Sequence, residues 1–361
     1  MTVLLPRLAL AAALALASIS FQAPSEDAMR LGVSGTHFTL GGQPRFLILV
    51  SDFDALDTPD VDRDFDYLKT RVDGVRIFAT WWNFGEGRCP LRFNPGTVIG
   101  VDGNGKGIVR PDRLARLQEV LDSARAHGLV VDLSFAADTV EGMSTLKAGP
   151  DGGVCKPSGS AARVKWTEYG NAIASVARSL KASSYSHTFF DLQNEWGHPV
   201  NGATERDLEG VVRAVRAADP DRILTISSFE PDAARHAGSV QRLGLAALNF
   251  HDFPRGRGWG SRTATQVAGF RRALTARGLN IPIYDGEPDP GGYGNGLAEF
   301  EASLTGARQS GAAAWTFHTR AGHQLERRGL VDALDPDARR FLDEARLVSS
   351  RATPEPHLGV N

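Results

Sequence analysis

Two glutamates in this chain end apolar runs, where they could do chemistry. One closes Phe189-Phe190-Asp191-Leu192-Gln193-Asn194-Glu195-Trp196, and the other closes Ile283-Tyr284-Asp285-Gly286-Glu287-Pro288. Short runs rich in β-branched and aromatic residues read as strands, so each carboxyl sits where a strand gives way to a loop. A pair of such groups can divide one task. A protonated carboxyl assists a departing oxygen, while an ionised one attacks the carbon it leaves. Cleaving a glycosidic bond this way with retention needs the carboxyls about 5–5.5 Å apart. Charge sorts the roles: a Glu287 anion would raise the pKa of Glu195, and a positive neighbour would keep Glu287 ionised. A lone glutamate at a strand end is usually a solvated loop residue. The pair, one member preceded by Asn, is what gives the signal its weight.

The elements that must position them repeat along the chain. Strand-like runs lie near 46–52, 74–79, 129–135, 187–193, 222–228, 245–250, 281–287 and 311–317. Between them VDRDFDYLKTRV, RPDRLARLQEVLDSARAHG, RVKWTEYGNAIASVARSLK, TERDLEGVVRAVRAADP, TATQVAGFRRALTARGLN and PDARRFLDEARLV show helical periodicity. Several end in Gly or Asp-Pro, as helix stops do. Strands alternating with helices imply a parallel sheet, and eight repeats predict a single-domain α/β fold, a closed (β/α)8 TIM barrel over 46–348. An open doubly wound sheet would want a Gly-rich phosphate turn after the first strand, and SDFDALDTPD is no such turn. Ahead of the barrel, residues 18–45 contain a short β-hairpin turning at Gly41-Gly42. Residues 349–361 form a tail. The glutamates end the fourth and seventh runs, on the face where such barrels carry their sites.

With those motifs in order, the sequence resembles clan A of the glycoside hydrolases and, within it, the cellulase-like family 5 enzymes. Gln193-Asn194-Glu195 and Asp285-Gly286-Glu287 match the clan's strand-four acid/base and strand-seven nucleophile. The resemblance implies that Asn194 hydrogen-bonds the sugar's 2-hydroxyl. It further implies that Arg76, in Gly74-Val75-Arg76-Ile77-Phe78, supports the nucleophile, and that Trp315, in Ala314-Trp315-Thr316, floors the −1 subsite. Arg76 also makes physical sense by itself, because a guanidinium offers a fixed fork of donors to a carboxylate. Trp81, Trp82, Trp196 and Trp259 follow strands two, four and six, and with Trp315 they suggest an aromatic carbohydrate groove.

The pattern also breaks. His251 ends the sixth strand, but Phe253 stands where family 5 usually has Tyr, and Asp132-Leu133-Ser134-Phe135 lacks the family's strand-three His. Tyr293, six residues past Glu287, is a candidate for the missing hydroxyl. Such departures also fit a carbohydrate-binding barrel that has lost turnover, which the intact glutamate pair argues against. No H-x-H, HExxH or Cys/His cluster accompanies His251 and no G-x-S-x-G elbow is present, so neither a metal nor any other cofactor is expected.

The balance of 40 Lys and Arg against 42 Asp and Glu offers no basic field for nucleic acid. The expected partner is a carbohydrate substrate. The chain opens MTVLLPRLALAAALALASIS, a basic residue followed by an apolar stretch too short to span a bilayer. This predicts a signal peptide cleaved after Ala17, export to the periplasm or medium, and no membrane association afterwards. In an exported chain Cys89 and Cys155 are expected to bridge the loops after strands two and three.

Overall fold

The computed structural model describes residues 25–53, 55–79, 98–101, 106–135, 147–148, 154–155, 166–197, 203–228, 232–251, 258–288, 296–318 and 329–352. It begins with a small antiparallel sheet of β1 (Leu31–Ser34), β2 (His37–Leu40) and β3 (Gln43–Arg45). Gly41 and Gly42 join β2 to β3 with φ of 57° and 79°. Two positive φ values are what a tight hairpin turn of the mirror-image kind requires, and glycine adopts them without strain. The sequence shows one hairpin; the structure adds a second turn at Gly35-Thr36, because β1 also pairs with β2. Between the turns Phe38 is fully buried, packed on Phe189 at 5.6 Å and Tyr284 at 5.8 Å. This ring closes the floor of the barrel.

Above the hairpin run β4 (Leu47–Ser51) and β5 (Gly74–Phe78). The loop after β5 carries an antiparallel pair, β6 (Ile99–Val101) and β7 (Gly107–Val109). Next comes β8 (Val130–Ser134), and its loop carries β9 (Lys147–Ala148) and β10 (Val154–Cys155). The chain continues through β11 (Thr188–Asp191), β12 (Leu224–Thr225), β13 (Ser227–Ser228), β14 (Leu248–Phe250), β15 (Ile283–Asp285) and β16 (Ala314–Phe317). Parallel pairing runs β12-β11-β8-β5-β4-β16-β15-β14-β13. Since β12 and β13 are two halves of one stave interrupted at Ile226, the nine segments make an eight-stave barrel, as expected.

Helices cover the outside, and their ends obey local chemistry. Asp60 caps the helix Val61–Leu68, and Thr204 and Asp207 form a reciprocal capping box for Glu205–Ala218. Asp335 caps Pro336–Arg351, with Pro at the first turn, where its missing N–H costs nothing. The structure adds the helices Ala233–Leu243 and Leu297–Gln309.

Alternation along the staves sorts the side chains. The outward set joins the helices in the main core. The inward set starts apolar at the floor, with Leu47, Leu49, Val130, Phe189, Ala247 and Ala314 around Phe38. Towards the strand C-termini it becomes polar and fully buried, with Arg76, Asp132, Ser134, Asp191, Ser227 and Asn249. Sealed polar groups must find partners among themselves.

Candidate active site

Arg76, inward on the second stave, has no exposed side-chain surface and is the hub of the mouth. Its Nη1 donates to Oε1 of Glu287 and its Nη2 to Oδ1 of Asn194 at 2.8 Å. Nη2 also reaches Oδ2 of Asp191 at 3.2 Å, and Nε donates to Oγ of Ser134 at 3.0 Å. The fork thus ties staves two, three, four and seven together. By holding Oδ1 of Asn194, it also fixes which way that amide is turned.

Glu195 has φ of +54°, a left-handed conformation uncommon for a residue with a Cβ. The bend is held on both sides. Its own N–H donates to Oγ of Ser227 at 2.9 Å, and Trp196 bridges to Ser228 on the neighbouring stave. Backbone strain of this sort costs about 1–3 kcal/mol and persists where the surroundings enforce it, often at functional sites. Here it aims the Glu195 carboxyl back over the mouth.

His251, ending the sixth stave, stands between the two glutamates. Its Nδ1 lies 3.3 Å from Oε1 of Glu195 and 3.5 Å from Oε2 of Glu287. One ligating atom from each of these three residues falls within 4.8 Å of the others. Such a trio could hold a cation, but Glu287 already has its positive partner in Arg76. Burial pushes the His251 imidazole down to about 4, against the pull of the Glu287 charge, so the ring is neutral near pH 7. Burial also raises the Glu287 carboxyl above its ordinary value, while His251 and Arg76 pull it back and Glu195 adds to the rise. The net direction is upward because removing this carboxylate from water outweighs the guanidinium's attraction.

Asn194, Glu195, Glu287, Arg76 and His251 are therefore brought together. Trp315 is not among them. It pairs with Asp285 and Ile48 on a stave whose inward residues are Ala314 and Thr316, so its indole faces the helices. There it is fully buried, donating Nε1 to Oγ of Ser303 at 2.9 Å and packing on Phe341. The period of two overturns the floor role. At the top of that stave the lumen is faced by His318, whose Nδ1 lies 2.9 Å from Oγ of Ser51 and whose ring is 5.3 Å from Phe53. Trp315→Phe is accordingly expected to cost about 1–3 kcal/mol in urea unfolding, through lost volume and the lost Ser303 bond, with KM unchanged. A clear rise in KM would return Trp315 to the site.

Trp196 is also mostly core, 7% exposed, with Nε1 donating to the carbonyl of Ala203. Trp259 begins the helix Trp259–Thr275. Trp81, Trp82, Tyr293, Phe253 and Cys89 lie outside the described residues, as does the proposed leader. Among the described residues no helix is long and apolar enough to cross a membrane. Sequence reasoning missed Asp191, Asp132, Ser134 and Ser227 as parts of the network. A signal was present: a carboxylate inside an otherwise apolar strand, at the parity of Arg76, must find a buried partner.

Fold and mouth together define a (β/α)8 barrel with paired carboxyls ending its fourth and seventh staves. No protein-family model matches the sequence, and no curated protein matches it. Solved structures do share the fold. The β-mannanase of the blue mussel Mytilus edulis superposes with a TM-score of 0.58 at 15% identity, over 91% of this chain and 98% of that one. The Thermomonospora fusca β-mannanase, solved with mannohexaose, gives 0.57 at 12%, over 90% and 97%. A tri-modular GH5 endo-β-1,4-glucanase from Bacillus licheniformis gives 0.58 at 14%, over 86% of this chain and 60% of that one. The barrel expected from the sequence is thus the fold that mannanases and endoglucanases also use.

Proposed function

We propose that this protein is an exported retaining β-glycoside hydrolase acting on β-linked oligo- or polysaccharide by double displacement. Glu195 is its acid/base and Glu287 its nucleophile. The observation that carries the reading is the approach of the two carboxyls, which offer oxygens within 4.8 Å of each other across His251. An approach of this size accords with the shorter carboxyl spacing, about 5–5.5 Å, at which attack is direct. Attack by Glu287 forms a covalent glycosyl-enzyme as Glu195 protonates the leaving oxygen. Glu195, now ionised, then takes a proton from the water that releases the sugar. Asn194, whose Oδ1 is held by Arg76, hydrogen-bonds the sugar beside the nucleophile in this reading. The mannanases and endoglucanases that share the fold support β-mannans and β-glucans as first substrates to try.

The test is product stereochemistry on a panel of such oligosaccharides. The first-formed anomer, followed by proton NMR, should be β, and an α-anomer appearing first would falsify the mechanism. Glu195→Ala should lose turnover on natural oligosaccharides by about 100-fold or more while sparing activated aryl glycosides in the first step. Added azide should restore release and yield a β-glycosyl azide. Wild-type turnover by this variant on oligosaccharides rules out the assignment.

A further inference from the structure

Charge is unbalanced inside the barrel. One guanidinium, Arg76, faces three carboxyls, Asp132, Asp191 and Glu287, and none has more than 7% of its side chain exposed. One positive charge against three negative ones is costly away from water, and the simplest relief is a proton on one carboxyl.

The hydrogen bonds single out which. Asp191 accepts the Ser227 backbone N–H at 2.8 Å as well as Arg76 Nη2. Glu287 accepts Arg76 Nη1 and lies against His251. Asp132 has the poorest share of the cation: its closest guanidinium atom is Nε at 3.6 Å, whose hydrogen is directed to Ser134. Its other neighbours are two hydroxyls, Tyr284 at 3.1 Å and Ser134 at 3.5 Å, each able to accept a hydrogen as well as donate one.

We propose that Asp132 is a positioning residue that holds the proton of this cluster, leaving the Arg76 guanidinium to Asp191 and Glu287. The groups facing Asp132 are Arg76 from β5, Asp191 from β11 and Tyr284 from β15, with Ser134 on its own strand. Burial and the Asp191 charge push its carboxyl up to about 8 against the pull of Arg76. Burial also raises the Tyr284 phenol, which keeps its own proton. An ionised Asp132 would compete for Arg76 and draw it down the lumen, away from the nucleophile.

The consequence for catalysis rests on the reading of Glu287 as the group that must be ionised to attack, so the acid limb of kcat/KM reports its ionisation. Replacing a neutral acid by an amide changes no charge, so D132N keeps that limb at the wild-type pH. D191N removes a negative charge from the same guanidinium and moves the limb down by about one pH unit. D132L, which can bond neither hydroxyl, lowers kcat by on the order of tenfold or more with KM little changed, and D132N restores most of it. A D132N limb displaced as far as that of D191N shows that Asp132 is anionic and overturns the proposal, whether or not D132L folds. Infrared titration gives a readout free of turnover: a protonated-carboxyl band persists at neutral pH in wild type and is missing from D132N. Absence of that band in wild type also overturns the proposal. Its presence in a protein that hydrolyses no glycoside sinks the catalytic reading and leaves the proton on Asp132.

Discussion

Glu287→Ala should lower hydrolysis of an activated aryl β-glycoside by on the order of 10⁴-fold or more, the scale seen when a covalent nucleophile is deleted. The loss should appear in kcat, because among the described residues no other carboxyl is placed to attack. Glu195 approaches from beyond His251, and Asp191 and Asp132 are sealed beneath Arg76. Azide can substitute for the missing carboxylate from the same side, and a single inversion then gives an α-glycosyl azide. Glu195→Ala should give the opposite anomer, so the two variants check each other. A 2-fluoro glycoside of the accepted sugar should label Glu287 in the wild type, located by peptide mass; a label on any other residue contradicts the role. The pH profile carries a sign as well. Burial raises the Glu287 carboxyl, and attack needs its ionised form. Activity should therefore be present above that point and fall away as pH drops through it, at a pH above the ordinary glutamate value.

Arg76→Met should be the most destabilising substitution at the mouth. Removing one partner from a buried ion cluster costs about 3–5 kcal/mol, because the opposite charges stay buried and uncompensated. Asp191, Glu287, the Asn194 amide and the Ser134 hydroxyl lose their shared donor at once. Arg76 pulls the Glu287 carboxyl down, so without the cation its folded-state pKa rises further and protonation relieves the damage. The stability deficit against wild type should be largest near neutrality and shrink as pH falls, measured by urea unfolding at two pH values. Arg76→Lys should not rescue it, since one ammonium cannot reach Glu287, Asn194, Asp191 and Ser134 together. A deficit under about 1 kcal/mol at neutral pH would show that the cluster does not depend on this cation.

Much of this architecture was legible in the residues. The eight apolar runs became eight staves, and the six periodic runs became helices. Arg76, Asn194, Glu195, His251 and Glu287 converge because strand C-termini converge in a closed barrel. What failed was parity. Proximity to a strand end says nothing about which face a side chain takes, and a one-residue change of phase carries Trp315 from lumen to helix layer. The lumen network was hidden for a related reason. Asp132 and Asp191 look like ordinary strand-end acids until alternation places both inward beside Arg76. The sign of the Glu287 shift depends on how completely the mouth is sealed, and a string of residues does not carry that information.

The Phe38 ring has a consequence for how this protein can change over generations. It rests on Tyr284, whose hydroxyl reaches Asp132, which lies beside the Arg76 that grips Glu287. A column of contacts therefore runs from an amino-terminal hairpin to the opposite end of the barrel. Substitutions in the hairpin and substitutions around the mouth are not independent draws, since a shift of Tyr284 is felt at both ends. Lineages that remodel the hairpin should carry compensating changes in the lumen, and the order in which those changes arise should matter. The segment that looks most like a dispensable preface is joined by contacts to the residues of the candidate site.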